Sequence, residues 1–567
     1  MGSLGLRLEK TLLPPPDVVK WNQGAIEPVK LSVAKKIQHF VVNLFLLIGN
    51  LLSIPFLAAY SAARYVVMKV ASLCKKSPPQ DNVVPLPDSD LAGGLPPHFG
   101  TADSFFQTGG LGTDASATPL EGRSNWNERL NPAHIEGTED RDYKKFFVDV
   151  LGNPGPYIQL LKEMGQTAHR FSLEWSVIEP EKGRYDLEAI RLYKQFIQAL
   201  IAAGITPYVT LHHFVSPKWL EPISKSLPKS AFDNPKVVDE FVRHSLAMME
   251  EFPEVTHWMT FNEPGVLGMQ SCLMGDYPPG LKGDYAANGR VIRNLLAAHC
   301  KVYQEAKAKY GDLKQIGITH QWLKFLPLEG NPTEKMLSHH FSKNHNAIYE
   351  FFKTGNFSLQ AAGKANVQFS IPKEEFEQNG KFMDFLGVQT YGFPRLKAGF
   401  NGGKVHPGYK TINIPLLGKW GMAFGSSCRP GEKMMSFGPR YTPADFEVCL
   451  KEAADLGRPM VISETGCDAR IQKFGDKEFK IDDETQRDYF EKILPVLKKF
   501  QGRIIAFFAW TLLRGHLEWN RGNFPRLGLV DVVKVDQKIQ SYQLSPAAKL
   551  LQRVFHERMR QPAVQVA

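Results

Sequence analysis

The stretch "HWMTFNEPG", His257 to Gly265, decides how this chain is read. Its apolar and aromatic members suit a strand entering a core, yet the run closes on Asn262-Glu263-Pro264, an amide beside a carboxylate with a proline behind it. A strand does not finish on a lone acid unless that acid lies at an opening, because an unpaired buried charge is costly. The bland alternative is a helix start, where proline favours the first turn and a carboxylate suits the N-terminus. A second run of the same kind, "PMVISETG", ends on Glu464.

Around these two runs, from about Pro97 onward, short apolar or β-branched segments alternate with longer helical patterns. The predicted strands are His98–Ser104, Ala168–Glu174, Thr206–His212, Trp258–Phe261, Gln315–Gln321, Phe385–Tyr391, Pro459–Ser463 and Ile504–Trp510. Between them lie amphipathic stretches such as "LEAIRLYKQFIQALIAAG", "GRVIRNLLAAHCKVYQEAKAKYG" and "PADFEVCLKEAADLG", each closing on a glycine, the usual helix stop. Eight strands separated by helices predict the α/β class, a (β/α)8 barrel whose site lies where the strands' C-terminal ends meet. Glu263 and Glu464 then stand at the ends of the fourth and seventh strands, and closure brings these distant ends together. The inserts at 331–381 and 393–441 are expected as loops or small helices decorating the mouth. Two carboxyl groups across a pocket are what cleavage of a glycosidic bond needs, one as proton donor and one as anion.

Composition is that of an ordinary globular protein, 43% apolar and 22% charged. The six cysteines are widely spaced and form no C-x-x-C pair, which argues against a zinc ribbon or a disulfide scaffold and fits a reducing compartment. The net charge of +10 is concentrated at the front, where residues 1–76 carry ten Lys/Arg against three acids. No recognition module for nucleic acid accompanies it, so nucleic acid is not an expected partner. The basic residues instead bracket "FVVNLFLLIGNLLSIPFLAAYSAA", Phe40 to Ala63, a run of 24 residues without a charge. Roughly 20 apolar residues suffice to span a bilayer, so a membrane anchor is expected. Pro55, Asn43 and Asn50 leave open a kinked span, or a helix ending at Ser53 followed by an in-plane piece from Phe56 to Cys74. A buried hairpin of a soluble domain is the rival reading. Lysines flank both ends, so the positive-inside rule sets no orientation. "KKSPPQDNVVPLPDSDLAGGLPP", Lys75 to Pro97, reads as a semi-rigid tether. The expected division is a basic segment over 1–36, the anchor over 37–74, the linker over 75–97, the barrel over 98–556 and a tail over 557–567. The expected location is a membrane, either an endomembrane or an organelle envelope.

From about Pro97 to Phe555 the sequence resembles glycoside hydrolase family 1, the retaining β-glucosidase and β-galactosidase family. "TFNEP" matches the family's acid/base motif unchanged, and "VISETG" resembles its nucleophile motif T-E-N-G, with Ser463 and Thr465 departing from it. The resemblance implies Glu263 as general acid/base, Glu464 as nucleophile and Asn262 as the holder of the sugar's 2-hydroxyl. "DSFFQTGG" supplies Gln107 as the sugar-binding glutamine, and "HRFSLEWSVIEP" places Arg170 beneath the nucleophile. "TLHHFVSP" makes His213 the sugar-binding histidine, with Phe214 and Val215 in place of Trp and Asp. "DFLGVQTY" gives Tyr391 as a hydrogen-bond donor to the nucleophile, with Gln389 replacing an asparagine. "WTLLRGHLEW" resembles W-S-L-L-D-N-F-E-W with one extra residue, making Trp510 the sugar platform and Glu518 the ligand of the outer hydroxyls beside Trp519. The Glu-Trp pair argues against the 6-phosphosugar branch of the family.

Alone, each residue has a structural explanation: Arg170 as an ion-pair partner, His213 as a core histidine, Trp510 as core. Their coincidence at seven of eight strand ends is what carries the functional reading. The implied reaction is double displacement on a neutral β-glucoside or β-galactoside, with no metal or organic cofactor. The departures at Gln389, Thr465 and Arg514-Gly515-His516 point to a divergent member with an unusual substrate. Two alternatives stand beside it: a membrane-bound transglycosidase or glycolipid-processing enzyme of the same fold, and a non-catalytic sugar-binding or receptor-like module. The presence of both carboxylates argues against the second.

Overall fold

A computed structural model describes residues 17–22, 25–29, 32, 86–108, 123–126, 147–221, 229–328, 330, 332–361, 365–396, 399–402, 411–414, 418–423, 433–435, 442–473, 478–519 and 525–561. Eight parallel strands close into a barrel: β1 (His98–Ala102), β2 (Ala168–Ser172), β3 (Thr206–His212), β4 (His257–Asn262), β5 (Gln315–Gln321), β6 (Phe385–Thr390), β7 (Met460–Thr465) and β8 (Ile504–Trp510). Each pairs with its neighbours in chain order, and β8 returns to β1. All eight expected strands form, three of them with the expected bounds.

The strands are buried on both faces, which explains their near-continuous apolar reading. Inside the barrel Ala102, Ala168, Tyr208, Met259, Phe385, Val461, Ala506 and Phe508 pack together. Small residues on some strands there make room for large ones on others. At Gly100 an added Cβ would lie 1.9 Å from the Ala168 carbonyl oxygen, so β1 and β2 approach this closely only through a glycine.

Among the described residues these helices lie around the strands: α1 (Pro154–Glu163), α2 (Leu187–Ala202), α3 (Val237–Glu251), α4 (Tyr285–Tyr310), α5 (Lys343–Thr354), α6 (Pro443–Ala454), α7 (Asp483–Leu497) and α8 (Pro546–Arg560). Local chemistry sets several of their starts. Asp186 accepts from the N–H groups of Glu188 and Ala189 at α2, Asp284 from Ala287 at α4, and Ser545 from Ala548 at α8. The three expected helices end near Gly204, Gly311 and Gly457, all with positive φ.

The inserts match expectation in part. The 331–381 stretch carries helices, Pro332–Phe341, α5 and Lys373–Gln378, but also a hairpin of Asn356–Ala361 and Ala365–Ser370. Onto this hairpin docks part of the basic N-terminal segment. Asp17–Asn22 pairs in parallel with Ala365–Ser370, and Ala25–Pro28 folds back against it. Trp21 is buried there, donating from Nε1 to Glu375 Oε1 at 2.6 Å and meeting Phe382 edge-on at 5.6 Å. Arg293 of α4 bonds Asp17 at 2.7 Å. Among the described residues the 393–441 stretch contributes strands: Gly399–Gly402, Gly418–Ala423 and Thr411–Ile414 form one small sheet. The expected anchor, 37–74, lies outside the described residues. Among the described residues no helix is long and apolar enough to cross a membrane.

Removing the Trp21 ring takes away the largest buried contact of the N-terminal strand. Trp21→Ala is expected to weaken this docking by about 3–5 kcal/mol. Amide exchange over Asp17–Asn22 should accelerate by orders of magnitude while the β1–β8 amides stay protected.

Candidate active site

The C-terminal ends of the strands and the residues just beyond them bring the residues singled out above together at one end of the barrel. Three of these ends carry register shifts: on β4 between Met259 and Asn262, on β6 between Val388 and Gln389, and on β7 between Ile462 and Thr465. Such irregularities bend a strand and re-aim its side chains, here at Asn262, Gln389 and Glu464.

Arg170, at the middle of β2 and 1% exposed, reaches across the barrel. Its Nη1 donates to Glu464 Oε1 at 2.5 Å and to the Ser463 carbonyl at 3.1 Å. Its Nη2 donates to Asn262 Oδ1 at 2.8 Å, and Nε donates to Thr210 Oγ1 at 3.1 Å. Tyr391 donates its hydroxyl to the other oxygen of Glu464 at 2.6 Å. Gln389 Nε2 donates to Asn262 Oδ1 at 2.8 Å. With two N–H donors converging on it, that Asn262 atom must be the oxygen, which leaves the amide nitrogen to donate elsewhere.

Glu263 follows Asn262 in a left-handed conformation, φ 46° and ψ 67°, at the start of the short helix Pro264–Gly268. Helix start and strand-end acid are therefore both true of it. The carboxyl is 6% exposed, and its Oε1 has no hydrogen-bond partner. Burial, and then the neighbouring Glu464, push its pKa well above the usual carboxylate range, against the opposing pull of Arg170. Burial also raises Glu464, but Arg170 and the Tyr391 hydroxyl pull it back. Of the two acids, Glu464 gives up its proton first and Glu263 keeps its own.

The far wall is aromatic. His213 stacks on Trp510 at 5.8 Å and on Trp519 at 6.0 Å between ring centres. Burial, reinforced by Arg170, drives the His213 pKa well below its ordinary value, so the ring is neutral. Phe214 and Val215 are buried, with Phe214 against Tyr277 and Trp519. Gln107 Nε2 donates to the Leu517 carbonyl at 2.9 Å and to Glu518 Oε2 at 3.3 Å.

The extra residue on the eighth strand resolves into two devices. Arg514 bonds Asp483, Asp531 and Gln486. Gly515, at φ 81°, lets the chain reverse so that His516 Nε2 meets Glu518 Oε2 at 2.8 Å. The contact of His516 with the carboxylate two residues on was missed in the sequence, as was Gln389 as partner of Asn262. Thr465, where the family motif has asparagine, donates to the Thr390 carbonyl at 2.9 Å and meets the Tyr489 hydroxyl.

The model of glycosyl hydrolase family 1 matches residues 96–558. The chain belongs to that family. It is a glycosidase. Its relatives include a 6-phospho-beta-galactosidase of Staphylococcus haemolyticus, 25% identical over 76% of this chain and 92% of that protein. Another is beta-glucosidase 12 of Oryza sativa subsp. japonica, 26% identical over 76% of this chain and 86% of that protein. In fold the chain is similar to a rice β-glucosidase structure (TM-score 0.63, 22% identity, 82% of this chain and 98% of that one). The family 1 β-glucosidase of Thermotoga maritima is similar too (TM-score 0.62, 21% identity, 84% and 99%).

The raised Glu263 pKa has a consequence for stability. A carboxyl whose folded-state pKa exceeds its unfolded value stabilises fully below the ordinary 4.5, and that stabilisation is lost as pH rises through the folded value. Glu263→Gln, neutral at every pH, should therefore match the parent protein in acid and exceed its melting temperature increasingly toward alkaline pH. Scanning calorimetry from pH 5 upward measures the difference, and parallel curves for the two proteins would contradict it.

Proposed function

We propose that this protein is a retaining β-glycosidase in which Glu464 is the nucleophile and Glu263 the acid/base. The observation that carries the reading is the asymmetry of the carboxyl pair. Glu464 is held on one oxygen by Arg170 and on the other by Tyr391, whereas Glu263 has neither a cation nor a hydrogen bond at Oε1. The clamped acid is the anion that attacks the anomeric carbon. The unclamped acid holds the proton that passes to the departing oxygen as the glycosidic bond breaks. In the second step Glu263, now a carboxylate, takes a proton from water, whose oxygen attacks the anomeric carbon and releases Glu464. Asn262 would donate from its free amide nitrogen to the sugar's 2-hydroxyl, and Gln107, His213, Trp510, Glu518 and Trp519 would hold the ring.

The sugar is proposed to be neutral. Glu518 is an acid at the outer end of the pocket, and a 6-phosphate placed beside it would meet like charge, worth several kcal/mol of discrimination. We also propose that residues 37–74 attach the enzyme to a membrane, at an endomembrane or organelle envelope. The charge-free run from Phe40 to Ala63 supports this reading. Substrates presented at a bilayer surface, glycolipids among them, then come within reach.

Three measurements test the proposal. Glu464→Gln should lower turnover of an aryl β-glycoside by several orders of magnitude, and the first product of the parent protein seen by NMR should be the β-anomer, as double displacement requires. The pH profile should be bell-shaped, falling in acid as Glu464 gains a proton and in alkali as Glu263 loses one. A neutral aryl β-galactoside should exceed its 6-phosphate in kcat/KM by about 100-fold or more. Preference for the phosphorylated sugar would reverse the assignment of Glu518.

A further inference from the structure

We propose that His516, in the turn that follows β8, is a positioning residue: it fixes Glu518, and through Glu518 it sets how strictly the site selects a sugar by its outer hydroxyls. This rests on the glycosidase reading proposed above and gives a function to the insertion in the eighth-strand motif.

The backbone delivers the imidazole to one place. Before it, the Arg514 N–H donates to the Val530 carbonyl at 2.9 Å, and its guanidinium donates to the Gly528 carbonyl, Asp483, Gln486 and Asp531. Gly515 follows at φ 81°, a conformation that glycine adopts without steric cost. After it, the Leu517 N–H donates to the Gln107 carbonyl at 2.8 Å, and Gln107 Nε2 donates back to the Leu517 carbonyl at 2.9 Å. His516 is thus held from both sides. Its ring is 2% exposed and meets Trp510 edge-on at 5.8 Å. Close packing of this kind keeps a side chain in one orientation.

Glu518 has less packing to hold it, with its side chain 15% exposed. An untethered carboxylate arm would sample several rotamers, and ordering it at the moment of binding would cost affinity and selectivity. His516 removes that freedom, because its Nε2 lies 2.8 Å from Glu518 Oε2. A carboxylate only accepts, so the shared hydrogen sits on Nε2 and the bond is charge-assisted, the stronger kind. The Gln107 contact with the same oxygen is longer, 3.3 Å, and that nitrogen also serves the Leu517 carbonyl. His516 is therefore the main tether of Oε2, and Oε1 is left for the sugar. The ring's Nδ1 is buried without a partner, so among the described residues its hydrogen bond goes to Glu518. Packing against Trp510 could be met by any apolar ring, whereas the bond to Glu518 needs an N–H.

The test is turnover, by the full-length protein, of an aryl β-glucoside or aryl β-galactoside, whichever is cleaved faster, beside the 4-deoxy and 6-deoxy forms of that sugar. The penalty for a missing outer hydroxyl is the ratio of the kcat/KM values. His516→Phe keeps the ring but loses the N–H; His516→Gln keeps an N–H at the reach of Nε2. The expected result is that His516→Phe shrinks the larger penalty by about tenfold and that His516→Gln restores it to within about threefold of the parent. In a Glu518→Ala background His516→Phe should change the penalty no further, because the two residues act as one unit. Scanning calorimetry confirms that each variant folds, and His516→Leu replaces the Phe variant if that one does not. An unchanged penalty in the apolar variant, an equal loss with Gln, or a loss that persists without Glu518 overturns the positioning role and leaves the glycosidase reading standing. A folded parent protein that cleaves neither glycoside overturns that reading, and the proposal with it.

Discussion

The guanidinium of Arg170 is the group on which the rest of the site depends. It joins four strands from the inside of the barrel, bonding Thr210 on β3, Asn262 on β4, and Ser463 and Glu464 on β7 from its own place on β2. Its charge has no escape to water, so it acts at short range and with little screening. It pulls the Glu464 pKa down against burial, opposes the rise at Glu263, and helps to keep His213 neutral. Burial is the larger influence at all three groups, and this one cation adjusts each of them. Removing it would leave the Glu464 anion buried with only a tyrosine to hold it, the kind of loss that costs about 3–5 kcal/mol. Lysine would not substitute, because a point charge cannot reach a carboxylate, an amide oxygen and a hydroxyl at once in the fixed fork that arginine presents.

Opposite this well-satisfied centre lies an acid that the fold holds at a cost. Glu263 has positive φ without being glycine, and one of its carboxyl oxygens is buried without a partner. Strain of this backbone kind is worth of order 1–3 kcal/mol and persists only where the surroundings over-determine it. They do so here. The Glu263 N–H donates to the Thr319 carbonyl on β5 at 2.9 Å, and its own carbonyl accepts from Val266 and Leu267. The main chain on both sides is fixed, and the side chain is left to the pocket. Satisfaction at Glu464 and deprivation at Glu263 leave the two acids unlike, with the proton held more firmly at Glu263.

Much of this was legible in the sequence because the barrel strands announce themselves locally. Thr206–His212, Gln315–Gln321 and Ile504–Trp510 were bounded correctly, since a strand buried on both faces reads as an unbroken apolar run with turn residues at its ends. What escaped depended on partners far along the chain. "DVVKWN" carries alternating Val18 and Lys20 about Val19 and Trp21, a fair strand pattern, but beside the long apolar run it read as part of a basic leader. Its partner strand begins at Ala365, and no local signal connects the two. The Gln389–Asn262 bond was hidden for a related reason. A bulge at Val388/Gln389 decides where the longer side chain points, and bulges depend on pairing geometry. His516 was seen only as part of an insertion; the left-handed turn at Gly515 brings it back onto Glu518.

That turn bears on how the outer end of the pocket reads a sugar. A carboxylate recognises two neighbouring hydroxyls by offering both oxygens. In Glu518 the Oε2 atom already accepts from His516 and Gln107, so Oε1 is the oxygen with the greater free capacity. The imidazole brings a second polar group to the same spot, and its Nδ1 has no hydrogen-bond partner. The outer end of the site therefore presents a carboxylate–imidazole pair rather than a carboxylate alone. Behind it, Trp510, His213 and Trp519 stack into a wall stiffened by Phe214, Tyr277 and Trp126. Phe214 and Val215 are buried, and Glu518, His516 and Gln107 remain beside them as polar groups joined by hydrogen bonds.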